Sequence, residues 1–481
     1  MLKPVVLVLA AGQGTRMKSI KPKVLHQAAG RSLLGYAMAA GAELDPERIV
    51  VVVRNGRDEV AAEALALDPN VLVADQDDIP GTGRAVQCAL VAMDAAGVKA
   101  AGGVLVMASD TPLLDGQTLK ALLQAHQADS NAITILSAEV EDPYGYGRIV
   151  RGGDGQVEAI VEQRDTTEEQ AKICEINSAT YVFQARALHQ TLDHVDNDND
   201  QGEVYLTDTV ELARQAGMPV RALICEDPHV IQGVNDRQQL AQAAQEINAR
   251  RLEAAMLDGV TIVDPASTQI GPGVELAPDV TLEPGTDLRG NTKAEAGAVI
   301  GPYTTLTDCQ VGAGAKVDRT VANQAVIGPR ANVGPFTHLR PGTVLGADTK
   351  AGSFTELKAA DIGDGAKVPH LAYVGDAIVH QAANIGAGSI FANYDGVKKS
   401  KCEVGPAARI GSNNVLVAPI NVGAGAYSGA GVVIRGDVPP GALALGGKDQ
   451  RVIEGWTAAK RPGSDSAEAA AKAQTKEDGA A

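Results

Sequence analysis

From residue 270 onward, aliphatic residues recur every six positions. Ile270, Leu276, Leu282 and Leu288 stand six apart, as do Ile327, Val333, Leu339, Leu345, Ala351 and Leu357, and again Val404, Ile410, Leu416, Val422, Ser428 and Ile434. Neither an α-helix nor an ordinary strand repeats in that way. Gly often follows the aliphatic position, as in Ile270-Gly271, Ile327-Gly328, Val333-Gly334 and Ile410-Gly411. A six-residue period marks a parallel β-helix, in which one short strand and one turn form each side of a coil. The aliphatic side chain points into the prism, and a small or Gly residue lets the chain turn the corner. Composition agrees: 53 of the 481 residues are Gly and only 3 % are aromatic, because a narrow prism admits aliphatic side chains more easily than rings. A Gly-rich disordered segment would not hold three long registered runs.

The first half reads differently. Up to about residue 230, β-branched apolar runs alternate with longer helical patterns, the signature of βαβ units around a mostly parallel sheet. Strands are expected at 5–9, 49–53, 71–74, 104–107 and 133–140, with helices at 32–44, 84–96 and 117–128. Ligands bind at the carboxyl edge of such a sheet, so the loops after the first strand and after Met107 are the informative ones. Residues 236–258, free of Gly and Pro until Gly259 and rich in Gln, Ala, Arg and Glu, read as a linker helix. The expected organisation is therefore a Rossmann-like α/β domain at 1–235, this linker, a β-helix at 259–456 and a disordered tail at 457–481.

Charge and cysteines narrow the function. With 42 basic and 59 acidic residues the net charge is −17, which argues against nucleic acid or an anionic membrane as partner. The five Cys are scattered and form no C-x-x-C pair, which fits a reducing cytoplasm and offers no zinc site. No apolar run approaches the roughly 20 residues of a membrane span. The opening residues 1–11 have the outline of a weak signal peptide, but a polar Gly-rich loop with its own chemistry follows at once.

That loop is Leu9-Ala10-Ala11-Gly12-Gln13-Gly14-Thr15-Arg16-Met17, with Pro22-Lys23 downstream. Gly12 and Gly14 let backbone N–H groups approach a triphosphate, and Arg16 and Lys23 neutralise charge on the transferring or leaving phosphates. On glycines alone it is equally a tight strand-to-helix turn. The third glycine of a Rossmann fingerprint and the G-K-[ST] ending of a P-loop are both absent. The whole string resembles the signature of sugar-1-phosphate nucleotidyltransferases. Joined to a hexapeptide-repeat domain over residues 4–456, the chain resembles the bifunctional uridyltransferase/acetyltransferase family that makes UDP-N-acetylglucosamine. That resemblance implies a left-handed β-helix, Mg²⁺, acetyl-CoA and UTP as substrates, a homotrimer, and a cytoplasmic role feeding peptidoglycan and lipopolysaccharide synthesis.

For the first domain the resemblance implies UTP and UDP-N-acetylglucosamine contacts at Leu9, Ala10, Ala11, Gly12, Lys23, Gln76, Gly81, Thr82, Ala108, Ser109, Asp110, Gly147, Glu162, Asn177 and Asn235. Asp110 and Asn235 would hold Mg²⁺, a hard cation that takes oxygen ligands. Taken alone, each is equally a helix cap. Ser109 stands where the family usually has Gly, and Pro80 and Arg84 replace Leu and His. Glu162 by itself reads as a solvated surface charge. Arg16 and Lys23 would stabilise an in-line attack of N-acetylglucosamine-1-phosphate on UTP, with no protein nucleophile.

The hexads are interrupted at residues 368–376, which insert His370, and at 393–396, Asn-Tyr-Asp-Gly. Function tends to sit at such breaks. Acyl transfer to an amine needs a base, and an imidazole titrating near neutrality suits it; the plain alternative for His370 is an exposed turn residue. The resemblance makes His370 the general base. It implies glucosamine-1-phosphate contacts at Arg340, Lys358, Tyr373 and Asn384, and acetyl-CoA contacts at Ala387, Asn393, Tyr394, Ser412, Ala430 and Gly447. The last stands where the family often has Arg, with Lys448 and Arg451 nearby. Two other readings compete: a nucleotidyltransferase whose β-helix only assembles, and a non-catalytic subunit that kept both folds. The first predicts no acetyl-CoA consumption, the second a damaged G-T-R-M loop or a missing Asp110.

Overall fold

A computed structural model of the chain describes residues 2–199, 201–447 and 452–478. It comprises two compact units, Met1–Pro335 and Phe336–Ala481. In the first, a nine-stranded sheet is built outward from Val5–Ala10. This strand lies parallel between Arg48–Val53 and Val104–Ala108, with Val5 opposite Arg48 on one side and Val104 on the other. Leu72–Asp75 extends the sheet beyond Arg48–Val53. On the other side Glu175–Phe183 runs antiparallel between Val104–Ala108 and Ile133–Glu139, and Val220–Ile224 closes that edge. The direction of winding reverses at Val5–Ala10, which creates a crevice above its carboxyl end.

Apolar runs form these strands because helices cover both faces. Val5, Leu7, Val104 and Val106 pack with Val86 and Leu90 of helix Thr82–Ala95. Val6, Val8, Leu105 and Met107 pack with Leu34 and Met38 of Leu33–Ala42 and with Leu119 of Gly116–Ala128. The expected strands and helices recur within a residue or two. The elements that sequence reading passed over are Glu175–Phe183, the hairpin Arg148–Arg151/Val157–Val161, the edge strand Val220–Ile224, and helices Arg57–Leu67, Ala185–Leu192 and Asp208–Gln215. Glu175–Phe183 is buried nearly throughout yet carries Asn177, Ser178 and Thr180, which disguises it as a loop.

Helix Arg237–Leu257 follows, N-capped by Asp236 accepting from the Gln239 N–H, with Ala243, Ile247 and Leu252 buried. After it the chain enters short strands that pair in parallel one coil on: Thr261 with Thr281, Gln269 with Asp287, Glu275 with Lys293. These three ladders are the sides of a prism. Leu282, Leu288, Ile300 and Leu306 fill its interior. Thr286, Thr292 and Thr304 are also fully buried, and the Thr286 hydroxyl donates to the carbonyls of Glu283 (2.7 Å) and Ile300 (3.1 Å).

The second unit repeats the pattern. His338, Glu356 and Tyr373 stack on one side, Lys350, Lys367, Asn384 and Arg409 on another, and Val344, Asp361 and Ile378 on the third. Leu339, Leu345, Leu357, Val374 and Phe391 lie inside. Throughout the chain the predicted six-residue positions are buried, apart from a half-buried Leu276. The corners depart from expectation: left-handed backbone occurs not only at Gly but at Phe354 (φ 57°), Leu371 (φ 50°) and Asn413 (φ 55°). The ladder on both sides sets these conformations, so tertiary context overrides the local preference for Gly. The segment read as a disordered tail is helical at Trp456–Lys460 and Asp465–Asp478, as its Ala, Glu and Lys content favours. No helix among the described residues is long and apolar enough to cross a membrane.

Candidate active sites

Two loops leave the sheet at the reversal point and meet above it. The first follows Val5–Ala10. Gly14 there adopts φ 60°, and a Cβ on it would lie 2.5 Å from the Lys23 Cβ, so glycine is required for Lys23 to fold back over the loop. The second follows Val104–Ala108. Ser109, buried at its start, donates its hydroxyl to the Leu9 carbonyl at 2.7 Å, and its N–H meets the same carbonyl at 3.2 Å. Serine in place of glycine thus ties the two loops together. Asp110 comes next, and its carbonyl accepts from the Val234 N–H at 2.8 Å, which draws in Asn235.

The charged groups converge. The Lys23 ammonium forms a short ion pair with Asp110, both largely shielded from solvent, and donates to Asn235 Oδ1 at 3.2 Å. Arg16 donates to that same oxygen at 2.9 Å. Asn235 is itself held by its N–H to Gln239 Oε1 at 2.7 Å, and Arg237 donates to the Met17 carbonyl at 3.2 Å. Two cations, one carboxylate and one amide oxygen therefore meet; of these, Lys23 and Asp110 line a cleft of about 390 Å³, while Arg16 and Asn235 lie outside its lining. Leu9, Ala11, Gly12, Gln76, Gly81, Thr82, Ala108 and Ser109 also line it. Ala10 does not; it is buried in the core beneath.

Gln76 donates to the carbonyls of Ile79 (3.0 Å) and Gly81 (3.2 Å), bracing the loop at the cleft's rim. Gly81 has φ 120°, and a Cβ there would strike the Val204 carbonyl at 2.2 Å. Thr82 accepts from the Leu206 N–H, and Arg84 pairs with Asp77. Gly147, Glu162 and Asn177 form a second group: a Cβ on Gly147 would touch both Asn177 and Glu162 at 3.6 Å, and the Asn177 amide donates to Tyr181 Oη at 2.7 Å. Burial pushes the Glu162 carboxyl up, with Asp165, Asp208 and Glu203 adding to the effect against a hydrogen bond from Thr207. Glu162 is thus half-buried within an acidic pocket, not a solvated surface charge. Residues passed over in the sequence include Arg54, Asn55 and Glu203, which line the cleft. Asn55 lies forty-four positions from the Ala11 carbonyl that it binds at 2.7 Å, beyond any local signal.

In the second unit the predicted residues divide between two sides of the prism. Arg340, Lys358 and Tyr373 lie on one. Arg340 pairs with Glu356 at 3.0 Å, and Lys358 contacts both oxygens of Asp376 at 3.1 Å. Asn393 also donates to Asp376. His370 ends the strand Lys367–His370 on a different side, with Asn384 one coil on, opposite Lys367. Continuing that register places Ala387 beside His370, and the Gly388 N–H accordingly donates to the His370 carbonyl at 3.2 Å. Ser412 and Ala430 occupy the same corner on the following coils. A column of His370, Ala387, Ser412 and Ala430 results. The His370 ring is exposed and has no hydrogen-bond partner among the described residues.

Tyr394 sits on an exposed loop and donates to the Gly396 carbonyl at 2.6 Å. Gly447 is exposed at the edge of the described region; Lys448 and Arg451 lie outside the described residues. Asn384 therefore stands with His370 and apart from the other three residues assigned to the same sugar phosphate. Asp376 and Glu356 were passed over; in the register Arg340 stands level with Lys358 and Lys358 level with Gly375, so each acid lies one or two positions off its cation's level and no charge alternation along the repeat announces it.

Residues 6–254 match the MobA-like NTP transferase domain family. Over nearly the full length the chain is similar to proteins called Bifunctional protein GlmU. That of Kineococcus radiotolerans is 56 % identical over 98 % of this chain and 96 % of its own. That of Clavibacter sepedonicus is 52 % identical over 97 % and 94 %, and that of Streptomyces coelicolor 52 % over 98 % of both.

Proposed function

Because this chain belongs to the bifunctional GlmU family, we propose how its two sites divide the synthesis of UDP-N-acetylglucosamine. The enzyme transfers acetyl from acetyl-CoA to glucosamine-1-phosphate, then uridylyl from UTP to the resulting N-acetylglucosamine-1-phosphate, releasing pyrophosphate. The observation that carries the assignment of uridylyl transfer to the first cleft is the convergence of Lys23 and Arg16 on the oxygens of Asp110 and Asn235.

The sugar-phosphate oxygen attacks the α-phosphorus, so alignment and charge neutralisation suffice. Gly12, over which no protein atom lies within 4 Å of a Cβ position, leaves backbone open to the triphosphate. Arg16 and Lys23 oppose charge on the transferring and leaving groups. Gly147, Glu162 and Asn177 receive the sugar, and Gln76, Gly81 and Thr82 shape the uracil rim. Mg²⁺ fits the donor set, since the hard oxygens of Asp110 and Asn235 already gather one cation, the Lys23 ammonium. Asp110 and Asn235 would hold it, and when bound it neutralises triphosphate charge.

In the β-helix His370 takes the proton of the substrate amine, which then attacks the thioester and releases CoA thiol. Arg340 and Lys358 face the phosphate, with Tyr373 donating beside them. Ala387, Asn393, Tyr394, Ser412, Ala430 and Gly447 form the acetyl-CoA path. The separation of His370 and Asn384 from Arg340 and Lys358 on different sides of the prism supports a homotrimer, in which neighbouring subunits complete each site. The working division is residues 1–235 for uridylyl transfer, 236–258 as linker, 259–456 for acetyl transfer and 457–481 as tail, in a soluble cytoplasmic enzyme. Supplying glucosamine-1-phosphate, acetyl-CoA, UTP and Mg²⁺ should release free thiol and pyrophosphate together. Thiol without pyrophosphate, or the reverse, would remove half of this assignment.

A further inference from the structure

We propose that Asp376 is a positioning residue for acetyl transfer, one carboxylate that holds Lys358, on the sugar-phosphate side, and Asn393, on the acetyl-CoA side, in a single arrangement. The inference rests on the reading of the second unit as an acetyltransferase and adds to it a residue that the motif does not single out.

Lys358 meets both carboxylate oxygens at 3.1 Å, and Asn393 donates its amide to one of them. The Lys358 and Asp376 side chains are only 19 % and 16 % exposed, so the pair is far less screened than the Arg340–Glu356 pair, at 41 % each. Three separate strands or loops are joined here: Glu356–Ile362 supplies Lys358, Tyr373–Val379 supplies Asp376, and the break after Ile390–Ala392 supplies Asn393. Continuing the Tyr373–Ile390 register sets Asn393 one coil on from Asp376, and the Ser400 N–H donates to the Asn393 carbonyl at 2.9 Å, so the backbone fixes where Asn393 stands and the carboxylate fixes its amide. Tyr373 joins the same cluster: a Cβ on Gly375 would strike Tyr373 Oη at 2.4 Å and the Asn393 amide at 2.7 Å. Asp376 itself has φ 49°, a conformation costly for an L-residue unless its surroundings hold it. Burial pushes its carboxyl up, but hydrogen bonds from Lys358 and Asn393 outweigh this and hold it below its usual range, while the hydrogen bond to Asp376 raises Lys358. The carboxylate is therefore charged at neutral pH, and the ammonium beside it is fully protonated and aimed.

The test is D376N, which keeps the volume but removes the charge and turns one acceptor into a donor facing an ammonium. In the full-length enzyme, thiol release should fall by about 10- to 100-fold in kcat/KM, as displaced binding groups lower a rate. KM should rise for both glucosamine-1-phosphate and acetyl-CoA, and D376E should restore part of the loss. Pyrophosphate release from UTP and N-acetylglucosamine-1-phosphate should stay at the wild-type rate, and a thermal melt like that of the wild type shows that the second unit, which carries Asp376, is folded. A rise in KM for one substrate only, or thiol release equal to wild type, overturns the bridging role. Should D376N lose both activities, D376E decides: acetyl transfer no better than D376N in a chain with normal pyrophosphate release also overturns it. Absence of acetyl transfer in the wild-type enzyme would instead remove the acetyltransferase reading beneath it.

Discussion

Single side chains in this protein act through backbone that only certain residues permit. Gly14 shows it most directly, because its left-handed conformation and the 2.5 Å approach of Lys23 leave no room for a methyl group. Gly14→Ala should push Lys23 off Asp110 and slow pyrophosphate release about 10-fold or more, with thiol release unchanged; the two product assays check this. Asp208 is the opposite case, a charge the fold does not favour. Burial first, then Asp196, Glu211 and Asp165, raise its carboxyl to about 6. A carboxyl raised on folding contributes stability only while protonated, and that contribution is lost as pH rises from the unfolded value near 3.8 to about 6. Asp208→Asn should accordingly stabilise the protein at pH 8 by about 1 kcal/mol, discounting for partial solvent exposure, and by nothing at pH 3. Thermal melts at the two pH values measure the difference.

At the level of the element, the six-residue period works because two kinds of residue alternate inside the prism. Aliphatic positions such as Leu288, Leu345 and Leu357 were plain from the spacing alone, and Leu306, outside the runs singled out, falls on the same period. The buried threonines two residues earlier, Thr286, Thr304, Thr343 and Thr355, were not, although they share the period. A threonine reads as surface until its partners are known, and one of its two partners lies on the neighbouring coil. Thr343 donates to the Arg340 carbonyl at 2.8 Å and to the Leu357 carbonyl at 3.1 Å. Thr343→Val keeps the shape but loses both bonds and should cost about 1–2 kcal/mol, read from the denaturant midpoint. Thr343→Ser should recover most of it.

For the whole molecule, every residue assigned to uridylyl transfer lies in the first compact unit and every residue assigned to acetyl transfer in the second. Lys23→Ala should therefore abolish most pyrophosphate release and leave thiol release intact, and His370→Ala should do the reverse; each product is assayed with its own substrates supplied. If either variant lowers both rates alike, the two activities are not carried by separate residues. The sequence by itself determined the α/β half, the β-helix, and the G-x-G-T-R-M loop with its lysine, because these depend on period and on short-range spacing. It determined the chemistry of the second half only by resemblance. Tertiary structure alone decided that Asn235 meets Arg16 across 219 residues, that Glu162 is half-buried among carboxylates, and that Asp376 joins Lys358 to Asn393. Each of these is a contact between charges or amides that are brought together by the fold, across 219 residues for Arg16 and Asn235 and across a single coil for Asp376, and the polarity of a residue says nothing about which partner the fold will bring to it.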